Sequence, residues 1–232
     1  MSRRRMSNPL ALAVLACLWE RPMHPYEISN TLKHRNKEHS IRLNYGSLYS
    51  VVESLRQRRL IAAVETRKDG NRPARTVYEI THSGDVELHE WLHELISTPV
   101  KEYPALEAGL SLLPVLPPDM AAALLAQRVS MLTAALTELA CTDRELDEMG
   151  FPRLFRIEND YHEAMLRAER DFVSDLAEQI RGGVLGGVTM WRRMHELTEA
   201  GHSFAEISAN PAKYFGEEAG HWLAQADVKP AE

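Results

Sequence analysis

Apolar residues recur at helical spacing along most of this chain, and β-like runs occur only between residues 61 and 81. Leu12, Leu15, Cys17, Leu18 and Trp19 follow Asn8-Pro9, which predicts a core helix with Asn8 as N-cap and Pro9 at its first position. Pro22-Met-His-Pro25 breaks the chain. A second helix is expected from Tyr26 to Arg35, with Ile28 and Leu32 inward. A polar, basic connection from Lys33 to Arg42 leads to the stretch Asn44 to Leu60. There Leu48, Val51, Val52 and Leu55 gather on one side of a helix. Gly46, Ser50, Glu53 and Gln57 take the opposite side, with Ser47 and Tyr49 on its flanks. Asn44 is the expected N-cap, and Arg56, Arg58 and Arg59 put positive charge at the end that the helix dipole favours.

Two β-like runs, Ile61 to Thr66 and Thr76 to Thr81, flank Arg67-Lys-Asp-Gly-Asn-Arg-Pro-Ala-Arg75. Asp69-Gly70 and Asn71 are turn formers, so the run reads as a hairpin with a basic tip. Three helices followed by such a hairpin form a winged helix-turn-helix arrangement. Its third helix enters the DNA major groove, and wing residues Lys68, Arg72 and Arg75 lie against phosphates or the adjacent minor groove. The third helix suits that use. Its exposed first turns carry small residues and hydroxyls, which permit close backbone approach to base edges. An ordinary amphipathic helix with a polar outer face is the alternative for this stretch taken alone.

Ser83 to Ser97 reads as a fourth helix with Leu88, Trp91, Leu92 and Leu95 on one side. Pro99, Pro104, Pro114, Pro117 and Pro118 then mark residues 98–118 as a linker between a domain at 1–97 and another at 119–232. From Asp119 to Glu148, Leu125, Leu132, Leu139 and Leu146 repeat every seven residues, and Val129 and Leu136 follow two of them by four. That is a coiled-coil seam, assigned to dimerisation. Arg153 to Ile180 supplies a second long helix with Leu154, Tyr161, Met165, Phe172 and Leu176. Such a pair either packs on itself or also against a partner subunit; a lone two-helix arm is a poor core, which favours the dimer. The glycine-rich run at 181–187 lacks the spacing of a phosphate loop, and helices are expected at Val188 to Ala200 and Pro211 to Ala226. The fold class is therefore mainly α, with a small β-hairpin wing.

Charge sharpens this picture. The net charge is −6, but residues 1–82 hold 15 basic against 7 acidic residues, and the remainder holds 12 against 26. A basic N-terminal module on an acidic body is the asymmetry expected of a protein whose first domain meets nucleic acid. The start, Arg3-Arg4-Arg5 before an apolar run ending near Cys17, imitates a signal peptide. The run is too short to span a membrane, and cleavage there would remove the first helix of the unit that follows. Cys17 and Cys141 are distant and sit in no paired motif, which fits a reducing compartment. The expected setting is cytoplasmic, with no membrane association.

Leu-Ala-Val-Leu…Arg-Pro-Met-His-Pro-Tyr-Glu-Ile (12–28), Asn-Tyr-Gly-Ser-Leu-Tyr (44–49) and Arg-Pro-x-Arg-x-x-Tyr-x-Ile-Thr-x-x-Gly (72–84) together resemble the PadR family of bacterial transcriptional regulators. The likeness covers roughly residues 8–95. It implies a dimeric winged-helix repressor whose third helix reads a near-palindromic operator, with Tyr45, Ser47 and Tyr49 as contact residues. Asn44, Gly46 and Ser50 complete that candidate surface. It also implies dimerisation through C-terminal helices. Members often have proline after the second tyrosine and Glu-x-Glu-Gly before Leu-Ile; this chain has Ser50 and Gln57-Arg58-Arg59.

Other readings stay open on the residues. His89-Glu-Trp-Leu-His93 formally matches the zinc-hydrolase motif, but both histidines fall away from the apolar stripe and no third ligand follows in sequence. Trp91 could line a small-molecule effector pocket or serve as a core or interface tryptophan. An adaptor that keeps the winged-helix fold without binding DNA is a further alternative. No catalytic residue, cofactor or metal is assigned.

Overall fold

Asn8 caps helix α1 (Pro9–Glu20) by accepting from the Leu10 amide at 3.0 Å, with Pro9 in the first turn where its missing N–H costs nothing. The computed structural model describes residues 8–41, 45–67 and 75–216. The chain divides into two compact units, Met1–Glu102 and Tyr103–Glu232.

In the first unit, α1 is followed by α2 (Pro25–His34), a 3-10 turn (Lys37–His39), α3 (Tyr45–Gln57), strands β1 (Ile61–Arg67) and β2 (Arg75–Ile80), and α4 (His82–Ser97). The strands pair antiparallel from Ile61 opposite Ile80 to Arg67 opposite Arg75, with a bulge between Ala63 and Glu65. Leu10, Val14, Leu15 and Leu18 of α1, Ile28 and Leu32 of α2 and the inner row of α3 share one core with Leu60, Ile61 and Leu88. Trp19, expected inside, is 58% exposed. It stands in the last turn of α1 and meets the His89 ring edge-on at 6.4 Å.

The second unit begins inside the stretch expected to be a linker. Residues Ala105–Ser111 form α5, a 3-10 turn follows at Leu113–Val115, and Leu106, Leu110, Leu113 and Leu116 pack on this unit's core. The prolines break the chain into short pieces without keeping it extended. Helices α6 (Pro118–Glu148) and α7 (Ile157–Arg181) form an antiparallel pair, with α8 (Val188–Glu199), α9 (Phe204–Ala209) and α10 (Pro211–Phe215) after them. The expected helix from Pro211 ends at Phe215, and its remaining residues lie outside those described. Short α9, whose cap is Ser203 accepting from the Glu206 amide at 3.1 Å, has no counterpart in the sequence reading.

The first part of the leucine repeat of α6 packs within one chain. Leu125 and Leu132 share a core with Val173, Ala177 and Ile180 of α7, and Leu136 is buried as well. Arg128 of α6 bonds Glu169 of α7 at 2.6 Å. Near the hairpin's turn, Arg156 donates to the Asp143 carbonyl at 3.1 Å and also engages Asp147. Helix α8 closes the far end. Its Trp191 indole donates to the Leu116 and Pro114 carbonyls at 2.8 and 3.2 Å, and Arg192 pairs with Asp119 at 2.8 Å. Among the described residues, α6 is the one helix long and apolar enough to cross a membrane. Of its apolar window, 28% is buried within the chain.

Candidate nucleic-acid interface

Four apolar residues seat α3: Leu48, Val51, Val52 and Leu55 are all buried in the first unit's core. At 100° per residue this turns Gly46, Ser50, Glu53 and Gln57 directly away from the core, as their spacing predicts. Tyr49, on the flank, is 59% exposed. The Ser50 hydroxyl donates to the Ser47 carbonyl at 2.7 Å and keeps its lone pairs outward. Glu53, Arg56 and Gln57 form a closed group. Arg56 binds both Glu53 oxygens, Nε to Oε2 at 2.8 Å and Nη2 to Oε1 at 2.7 Å, and the Gln57 amide adds a third bond at 3.0 Å. Arg56, expected as a positive charge at the helix end, is thus neutralised within its own helix.

The helix ends earlier than Leu60. The Leu60 amide bonds the Leu55 carbonyl at 3.0 Å and the Arg59 amide bonds that of Arg56 at 2.9 Å, with Arg59 in the left-handed region at φ 61°. This termination directs the chain into β1. Asn44, Lys68 and Arg72 lie outside the described residues, and for Tyr45 and Arg75 only the backbone is described, as the start of α3 and of β2.

Two neighbouring motifs prove to be scaffolding. Met23 exchanges backbone bonds of 3.0 Å with Tyr78, an isolated antiparallel bridge that ties the α1–α2 loop to the hairpin. His24 then caps α2: its Nδ1 accepts from the Tyr26 amide at 3.1 Å, while Glu27 accepts from the His24 amide at 2.8 Å. Sequence reading missed this cap because histidine is an uncommon N-cap; the Glu three residues on was the available signal.

Helix α4 gives no support to metal chemistry. His89 Nδ1 lies 2.9 Å from the Asp85 carbonyl, and among the described residues no group of three or more His, Cys, Asp or Glu could hold a metal ion. Trp91 packs against the first unit's core. Leu92 and Leu95, grouped with it in the sequence, are exposed.

The model of the transcriptional regulator PadR-like family matches residues 14–90, a segment that spans α1 to most of α4 and contains every part of this surface. Over residues 14–90 the chain is thus similar to the PadR-like family. Solved PadR structures share the fold at low identity. Bacillus subtilis PadR in complex with operator DNA superposes with a TM-score of 0.61 at 17% identity, covering 75% of this chain and 99% of its own. The same protein in complex with p-coumaric acid gives 0.58 at 17% identity over 76% and 99%. A PadR-like transcriptional regulator from Bacillus cereus gives 0.50 at 15% identity over 75% and 99%. No curated protein sequence matches the chain. About a quarter of the chain thus lies outside its likeness to PadR, while the PadR structures are spanned almost whole.

Proposed function

We propose that this protein is a cytoplasmic, dimeric, sequence-specific DNA-binding transcriptional regulator, a repressor by its family, that reads a near-palindromic operator through α3 and the tip of its hairpin wing. The observation that carries the reading is the outward row of α3, small and hydroxylated at its first turns, held rigidly by four buried residues within a PadR-like domain. Gly46 lets the helix backbone approach the base edges. Ser47, Tyr49 and Ser50 supply direct readout, and Asn44, Tyr45, Lys68, Arg72 and Arg75 hold the flanking phosphates. A small-molecule effector belongs to the same reading on the strength of the relative solved with p-coumaric acid. The packed Trp91 favours a structural role over one in its pocket.

The dimer we propose is built on a surface other than the repeat Leu125, Val129, Leu132, Leu136, Leu139 and Leu146, since Leu125, Val129 and Leu132 already share a core with α7. Its surface is the outer stripe of the hairpin, Leu154, Tyr161, Met165 and Phe172 with Met120, Leu124 and Met131, all of them exposed in the single chain. Each stripe stands about a third of a turn from the seam. In an antiparallel pair the two stripes then turn to the same side, which makes one broad apolar face.

Fluorescence anisotropy with the gene's upstream duplex and a scrambled duplex of equal length tests the DNA reading. Tyr49→Ala should weaken binding to the operator by about tenfold or more and leave the scrambled duplex nearly unchanged. Equal losses on both would remove the readout role, and no salt-sensitive DNA binding at all would favour the adaptor.

A further inference from the structure

We infer that Glu53, held by Arg56 and Gln57, is a specificity-determining residue that selects cytosine in the operator. The inference rests on the regulator reading given above.

Glu53 stands in the outward row of α3 with Gly46, Ser50 and Gln57, one turn beyond Ser50. A carboxylate on a surface that enters DNA is repelled by the phosphates on either side of the groove unless it meets a hydrogen-bond donor. Of the base edges in the major groove, the cytosine N4 amino group is the characteristic partner of a carboxylate. The side chain is built for such a contact. An ionised carboxylate offers about four acceptor sites. Three are filled, two on Oε1 by Arg56 Nη2 and Gln57 Nε2 and one on Oε2 by Arg56 Nε. The remaining site is on Oε2. The bidentate grip of Arg56 fixes the plane of the carboxylate, so that site has a set direction before DNA arrives. Arg56 and then Gln57 hold the Glu53 carboxyl down at about 2, so it remains an acceptor wherever duplex DNA is stable. Arg56 offsets its charge locally, which lowers the cost of bringing an anion to the groove. Arg56 is thus a positioning residue for Glu53.

The test is selection from a pool of duplexes randomised across the operator, run with full-length wild-type protein, Glu53→Gln, Glu53→Ala and Arg56→Ala. The wild type should enrich a cytosine column in each half-site. Glu53→Gln should move that column toward adenine, because glutamine pairs with the adenine N6 and N7 atoms. Glu53→Ala should flatten it, a loss of about tenfold or more in preference for cytosine. Arg56→Ala should blur the same column and no other, which a residue that merely stabilised the helix would not do. The exposed site permits all three variants to fold, and circular dichroism checks that they have. Identical columns in wild type and Glu53→Gln, with affinity for every duplex raised by one factor, would overturn the inference and leave the regulator standing. Failure of the wild type to enrich any sequence would overturn the regulator reading and this inference with it.

Discussion

Arg59 occupies a backbone conformation that favours glycine. It stands at φ 61° directly after α3, with the paired bonds from the Leu60 and Arg59 amides that define a Schellman termination. A residue with a Cβ pays for that conformation, and glycine does not. PadR relatives often carry glycine at this point of Glu-x-Glu-Gly before Leu-Ile, so the departure at Arg59 was visible in the sequence, but its backbone consequence was not. Arg59→Gly should raise the urea midpoint, by an amount equivalent to about 0.5–1 kcal/mol. An unchanged or lower midpoint would show that the arginine side chain makes contacts that offset the strain. Gly84 shows the converse. A Cβ there would sit 2.0 Å from the Leu60 carbonyl oxygen. Close by, Thr81 donates to the Arg59 and Leu60 carbonyls at 2.8 and 3.0 Å and accepts from the Gly84 amide at 3.1 Å. The Thr-x-x-Gly of the motif is therefore the joint between α3, the wing and α4, a role that only three-dimensional contact reveals.

The elements of the first unit were legible because each reports itself locally. Asn8-Pro9 starts α1, the spacing of Leu48, Val51, Val52 and Leu55 orients α3, and the turn formers between β1 and β2 announce a hairpin. The second unit was less legible for a physical reason. A heptad repeat says that an α6 stripe needs a partner helix, not whether that helix comes from the same chain. Helix α7 carries two apolar rows. Val173, Ala177 and Ile180 fill the seam, while Tyr161 and Phe172 remain 68% and 55% exposed. The larger aromatic and methionine side chains attracted the sequence reading, and smaller ones do the intramolecular packing. The two rows should separate in experiment. Phe172→Glu, on the outer row, should convert the proposed dimer to a monomer in sedimentation and shift unfolding by no more than about 0.5 kcal/mol. Leu132→Ala, on the seam, should destabilise the second unit by about 2–3 kcal/mol through the cavity it leaves. A Phe172→Glu protein that still sediments as a dimer would place association on another surface.

At the scale of the whole molecule, charge and symmetry set how the regulator meets DNA. The basic surplus is confined to residues 1–82 and the acidic surplus to the rest of the chain, so the attraction to phosphate comes from one unit and the other opposes non-specific adhesion. A dimer presents two α3 helices, and each half-site should then be centred about 10 base pairs from the other, one turn of DNA. Stoichiometric titration by anisotropy should saturate at two chains per operator. A salt series should lower the affinity for operator and scrambled duplex alike, by about a thousandfold or more between 50 and 200 mM if the pair of units neutralises six or more phosphates. The ratio between the two duplexes should change far less, because base-edge contacts release few counterions. Saturation at one chain per operator would mean that each first unit acts alone. A ratio that collapses together with the affinity would mean that the wing basics, and not the outward row of α3, carry the discrimination.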